Sequence, residues 1–172
     1  MNWTELIQTE IETTYQATQT LIDMVDEGKL DWKPATGSNW MTVGQLLQHL
    51  TDGCGASMRG FVTGEWGMPP EGELAPEEML PPAAKLPTIA SIAECKRLLA
   101  EDKVLALEML AQCSEDDLAN KPVVAPWNPD NPMGLGYQLL QMVTHLGSHK
   151  AQLFYYLKLQ GKPVHTGHLW GM

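Results

Sequence analysis

Apolar side chains recur at three- and four-residue intervals through four long stretches of this sequence, and nothing in it alternates with the two-residue period of a half-buried strand. This periodicity constrains the fold more than any other feature, because each stripe has to be covered by another helix. The first stretch spans residues 3–27, with Trp3, Leu6, Ile7, Ile11, Tyr15, Leu21, Ile22 and Val25 on one face. Asn2, with Glu5 three positions on, is suited to cap its start, and Gly28 to end it. The second spans 42–61, opened by a Thr42–Gln45 capping box, with Val43, Leu46, Leu47, Leu50, Cys54 and Phe61 in its stripe. The third spans 88–112, opening at Thr88 after Pro87 and carrying Ile92, Leu99, Ala106, Leu107 and Leu110. Ser114 with Glu115, Asp116 and Asp117 then signals a turn and a short helical piece. The fourth spans 132–160, with Asn131 as cap, Pro132 in the first helical position, and Gly161 and Pro163 as the stop. The expected fold is all-α, most simply a four-helix bundle, in one domain over residues 1–172.

The connection over 62–87, VTGEWGMPPEGELAPEEMLPPAAKLP, is rich in proline, glycine and acids. A helix of about twenty residues is about 30 Å long, and extended chain covers about 3.3 Å per residue. The connection is therefore long enough to return along the whole bundle, which lets the second and third helices run parallel. Connections of this length are uncommon in small domains unless they cover something.

Charge narrows the partners. The 21 acidic residues against 11 basic ones give a formal net charge of −10, a surface that phosphate backbones and anionic lipid repel, so neither nucleic acid nor membrane is an expected partner. The first residues carry acids where a signal peptide would be basic, and no apolar run approaches the roughly 18 residues of a membrane span. Three cysteines, Cys54, Cys95 and Cys113, lack any CxxC spacing. They read as ordinary buried or half-buried thiols in a reducing cytoplasm.

Chemistry concentrates in the histidines. The stripe of the fourth helix is centred on Leu135, Leu139, Met142, Leu146, Leu153 and Leu157, and His145 and His149 fall on its flank with Gln138, Gln152 and Tyr156. His49 lies at the edge of the second helix's stripe, with Gly53, Ala56 and Ser57 a turn or two on, small residues that leave space. Neutral imidazole is a ligand for zinc, nickel and iron(II), and an i, i+4 pair puts two of them on one face. A third from a packed helix completes a three-nitrogen face with positions left open, the arrangement of a catalytic rather than a structural metal. Two other readings stand beside it: histidines satisfied by carbonyls at the core edge, and a pH-responsive cluster without metal. His165 and His168 lie beyond the helix stop and read as loop residues, and Trp40, Trp66 and Trp170 as core or loop anchors.

Two segments, WMTVGQLLQHLTD and THLGSHKAQLFYYLKLQGKPV, resemble the DinB-like (YfiT-like) superfamily of four-helix bundles, and with the intervening lengths the resemblance covers nearly the whole chain. In that family a histidine ends an LLxHL-type stretch, and an HxxxHxxQ run leads to a YLxxxGxP-type ending. Here these positions are His49, His145, His149, Gln152, Gly161 and Pro163. The resemblance implies an up-down-down-up bundle with long connections, a homodimer, and a divalent metal held by His49, His145 and His149, with nickel or zinc ahead of iron or manganese. It implies no DNA binding. Relatives include thiol transferases and isomerases that use a low-molecular-weight thiol such as mycothiol or bacillithiol. Lys150 stands where many relatives carry arginine.

Three functions follow as expectations. In the first, a metal-dependent thiol S-transferase, the metal lowers the pKa of a cosubstrate thiol, and the thiolate attacks an electrophile in a cleft under the 62–87 connection, with Tyr156 or Gln152 orienting this small-molecule substrate. The second is a metal-dependent hydrolase, for which Asp52 and Glu65 are the nearest candidate bases. The third is a non-catalytic stress or ligand-binding bundle. No catalytic residue is assigned.

Overall fold

The computed structural model describes residues 2–67 and 81–172, so part of the proline-rich connection, and with it part of the expected cover, lies outside the described residues. Helix α1 (Trp3–Ile22) starts as expected. The Asn2 side chain accepts from the Glu5 amide, and the Glu5 carboxylate accepts from the Asn2 amide. It ends at Ile22, short of the expected 27, and a 3-10 turn (Glu27–Lys29) follows.

The second expected helix is two helices. The Thr42–Gln45 capping box opens α2 (Val43–Leu50) as read, but α3 (Gly55–Thr63) starts afresh after a break. The break is held from other helices. Asp102, in α4 (Ile92–Ala111), is 5% exposed, and its carboxylate accepts from the Gly55 and Ala56 amides at 3.1 Å each and from the Tyr15 hydroxyl of α1 at 2.6 Å. A buried carboxylate thus satisfies the free amides at the start of α3. A Cβ on Gly55 would stand 2.3 Å from the Asp102 carbonyl oxygen, so only glycine allows the approach.

Helix α4 begins after a Ser91 cap rather than at Thr88, and α5 (Glu115–Asn120) is the expected short piece, with a Ser114–Asp117 capping box. A small sheet then joins the otherwise helical framework. Strands β1 (Pro122–Ala125) and β2 (Asn128–Gly134) form an antiparallel hairpin that pairs Pro122 with Gly134, Val123 with Met133 and Ala125 with Asn128. Asn131 and Pro132 therefore lie in β2 and do not open the last helix. Prolines are tolerated here because both strands of a two-stranded sheet are edges. Helix α6 (Leu135–Leu159) follows directly, and Gly161 ends it at a φ of 78°.

The described chain is mostly helical. Helices α1, α4 and α6 and the α2–α3 pair share one buried cluster that includes Ile7, Ile11, Leu46, Leu47, Leu99, Leu139 and Leu146. Among the described residues no helix is long and apolar enough to cross a membrane.

Candidate metal centre

Burial of Leu46, Leu47 and Leu50 fixes the rotation of α2 and leaves His49 at the edge of its apolar face. Leu139, Leu146 and Leu153 do the same for α6, with His145 and His149 one turn apart on the flank. The three imidazoles meet. Nε2 of His145 lies 3.3 Å from Nε2 of His49 and 3.1 Å from Nε2 of His149, and the rings stand nearly perpendicular with centroids 4.4–5.0 Å apart. One nitrogen from each ring lies within 4.8 Å of the other two, close enough to hold a metal ion.

The outer nitrogens decide where the protons are. Nδ1 of His145 is 3.3 Å from the Gly53 carbonyl, which can only accept, so Nδ1 carries the hydrogen and Nε2 keeps a lone pair. For His149 the reasoning starts three links away. The Met41 carbonyl accepts from the Tyr156 hydroxyl at 3.0 Å, so that oxygen is left to accept from Gln152 Nε2 at 3.1 Å. The amide orientation then turns Gln152 Oε1 to Nδ1 of His149 at 3.0 Å, and Nε2 of His149 is again a bare acceptor. With both rings neutral and these tautomers, two lone pairs face each other across 3.1 Å.

For two of the rings burial favours the neutral form. Burial, with the neighbouring His149 and His145 rings adding to it, pushes His49 down to about 4, and burial also lowers His149 against the opposing Gln152 contact. The donor set suits a cation. Nitrogens about 2.0–2.1 Å from one ion at roughly tetrahedral angles stand about 3.3 Å apart, near the separations found here. Neutral imidazoles without a thiolate or carboxylate among them favour zinc, nickel or iron(II) over the oxygen-seeking magnesium and calcium.

The other expected residues scatter. Asp52 is half-exposed with Oδ1 3.9 Å from Nδ1 of His49, beyond a hydrogen bond, and burial raises its carboxyl to about 6. Glu65 is exposed past the end of α3. His165 and His168 pair with each other in the 3-10 turn Thr166–Trp170, outside the cluster. Lys150 is turned away, donating to the Leu169 carbonyl at 2.6 Å beside the Trp170 ring. Trp40 and Trp66 are anchors as expected: Trp40 donates to the Thr36 carbonyl at 2.7 Å and meets Tyr156 edge-on, and Trp66 lies against Phe61 and Gly60. Trp170 is 71% exposed and anchors little. Cys54 and Cys95 are buried free thiols, each pushed up to about 12 chiefly by desolvation.

The described end of the proline-rich connection, Leu86 and Pro87, walls a small cavity of about 110 Å³ with His49 and Asp52. A larger cavity, about 400 Å³, opens beside His145 between the hairpin and the first half of α6. Sequence reasoning missed it because it missed the hairpin; the signal available was Gln138, a polar residue beside the α6 stripe.

A family model described as the DinB superfamily matches residues 10–153, a span that holds all three histidines. Comparison with curated proteins gives no match, and comparison with solved structures gives none.

Proposed function

The chain belongs to the DinB superfamily, and from that premise we propose that His49, His145 and His149 hold a divalent metal, nickel or zinc, in a thiol-dependent S-transferase. One observation carries the metal: the Nε2 atoms of three imidazoles converge, that of His145 lying 3.1 Å from His149 and 3.3 Å from His49, while the outer nitrogens of His145 and His149 face Gly53 and Gln152. When bound, the ion supplies Lewis acidity, which favours the thiolate of a low-molecular-weight thiol at neutral pH.

The chain's own residues do the rest. Gly53 and Gln152 fix the rings, and Tyr156 fixes Gln152. The nucleophile comes from a cosubstrate, because Cys54 and Cys95 are buried and hold their protons, and desolvation also raises the half-buried Cys113, whose thiol donates to the Met109 carbonyl. Its sulfur forms a bond to an electrophilic carbon of the acceptor as that carbon's bond to the leaving group breaks, and the thiol proton passes to solvent. The cavity beside His145 gives the acceptor a place next to the imidazole face. This reading takes residues 1–172 as one domain, an up-down-down-up bundle in which α2 and α3 form one interrupted helix, working as a homodimer in the cytoplasm. Asp52, raised to about 6 and near His49, is what favours a second reading, a metal-dependent hydrolase.

Metal-free protein titrated with zinc or nickel in a calorimeter should take up one equivalent, and the His49→Ala variant none. The loaded protein, mixed with each common cellular thiol and 1-chloro-2,4-dinitrobenzene, should form thioether faster than that variant does. Metal uptake with no excess rate for any thiol would remove the transferase, and an absence of uptake would remove the metal site.

A further inference from the structure

Two of the three imidazoles have their outer nitrogens engaged, His145 on the Gly53 carbonyl and His149 on Gln152. His49 is the exception. Its Nδ1 makes no hydrogen bond among the described residues, and the carboxylate beside it, Oδ1 of Asp52, stands 3.9 Å away.

The tautomers account for the difference. Nε2 of His145 is a bare acceptor when Nδ1 holds the hydrogen, and Nε2 of His49 lies 3.3 Å from it. In the metal-free chain the single hydrogen of neutral His49 therefore sits on Nε2, donating to His145, and Nδ1 is bare. A bare ring nitrogen and a carboxylate oxygen are both acceptors, and with no hydrogen to share they stay apart.

A cation at the three-nitrogen face reverses this. Each Nε2 then has to offer its lone pair, so the proton of His49 leaves Nε2 for solvent and another arrives on Nδ1. The ring stays neutral, and its outer nitrogen becomes a donor. Ligating histidines nearly always give that outer hydrogen to a carboxylate, a carbonyl or water. Asp52 is placed to receive it. Its side chain is 52% exposed and free to turn. It shares with His49 a cavity of about 110 Å³, which leaves room for the movement, and the approach needed is about 1 Å.

We propose that Asp52 is the positioning residue of His49, closing on Nδ1 as metal binding switches the ring's tautomer. Such a role rests on the metal reading. It also gives a function to the break between α2 and α3, where the consecutive residues Asp52 and Gly53 orient ligands on two different helices. A carboxylate so engaged is not a free base, and the hydrolase reading loses the residue that favoured it.

Nuclear magnetic resonance of the full chain, with isotope-labelled histidine, reads the protonation of both nitrogens in each ring. Without metal, His49 should show a bare Nδ1 and a protonated Nε2, and one equivalent of zinc should turn Nδ1 into an N–H. In competition with a chelating dye, Asp52→Ala should weaken zinc binding about 10–100-fold, with the melting temperature of the metal-free protein unchanged. Asp52→Asn, whose Oδ1 can still accept, should recover most of that loss. An N–H at Nδ1 already present without metal, a zinc affinity in Asp52→Ala within about twofold of the parent, or equal losses in the two variants would each overturn the proposal. Zinc uptake by the parent with Asp52 indifferent sinks Asp52 alone, whereas no uptake by the parent sinks the metal and Asp52 with it.

Discussion

His145 has a different duty at each ring nitrogen, and Gly53 makes both performable. The Gly53 carbonyl takes the Nδ1 proton, and its missing side chain makes room for the ring: a Cβ there would stand 3.2 Å from Cε1 of His145 and 2.9 Å from the His49 carbonyl oxygen. Gly53→Ala should therefore weaken zinc binding by about 10–100-fold, the usual cost of disturbing groups that orient metal ligands. Gln152→Leu should do the same by freeing His149 from Tyr156. Competition with a chelating dye reads both, and an affinity within about twofold of the parent would count against the roles given to Gly53 and Gln152. Sequence spacing put His145 and His149 on one face, because helical geometry turns a one-turn spacing into a shared face, and His49 joined them through its place at the edge of the second stripe and through the family resemblance. It was silent on the Gly53 carbonyl and on the direction of the Gln152 amide, which depend on contacts between segments far apart in the chain.

At the scale of elements, two carboxylates hold helix starts that are not their own. Asp102 serves α3, and its removal in Asp102→Ala strands two backbone amides and the Tyr15 hydroxyl in the interior. The expected loss is about 3 kcal/mol or more, with about 1–2 kcal/mol for Tyr15→Phe, both measured by urea unfolding. Glu115 serves α1, accepting from the Trp3 and Thr4 amides at 2.9 and 2.8 Å and from the Thr4 hydroxyl, the contact that most lowers its carboxyl. A carboxyl lowered on folding stabilises above its unfolded pKa, about 4.3, and that stabilisation disappears as the pH falls through the lowered value. Glu115→Gln should be less stable at neutral pH and lose less than the parent on acidification. Equal acid sensitivity would show that the cap contributes nothing. The helix break and the hairpin escaped the sequence for opposite physical reasons. Leu50, Cys54, Met58 and Phe61 remain buried on both sides of the break, so the apolar stripe continues across it. Strand β2 is exposed over Asn128–Asn131 and buries no alternating face, so it has no period to read.

For the whole molecule, the shared core forms without help from the histidines. Zinc at about 100 times its dissociation constant should add about 2.7 kcal/mol, which for a chain of this size raises the melting temperature by about 5–10 °C. A chelator should reverse that shift while leaving the far-ultraviolet circular dichroism at room temperature unchanged, and helix loss on chelation would contradict the arrangement described. The helical class was legible because four covered stripes leave few alternatives. The cavity was not, since it depends on where a short exposed hairpin lands. The break between α2 and α3 has a kinetic side as well. Its partners Tyr15, Asp102 and His145 arrive from three separate helices, with His145 and Gly53 92 positions apart and His49 and His145 96 apart. Closing chain over such separations is slow relative to forming a helix. A refolding chain should therefore regain its helical signal before it can capture zinc, so zinc uptake in a stopped-flow experiment becomes a clock for the final docking step.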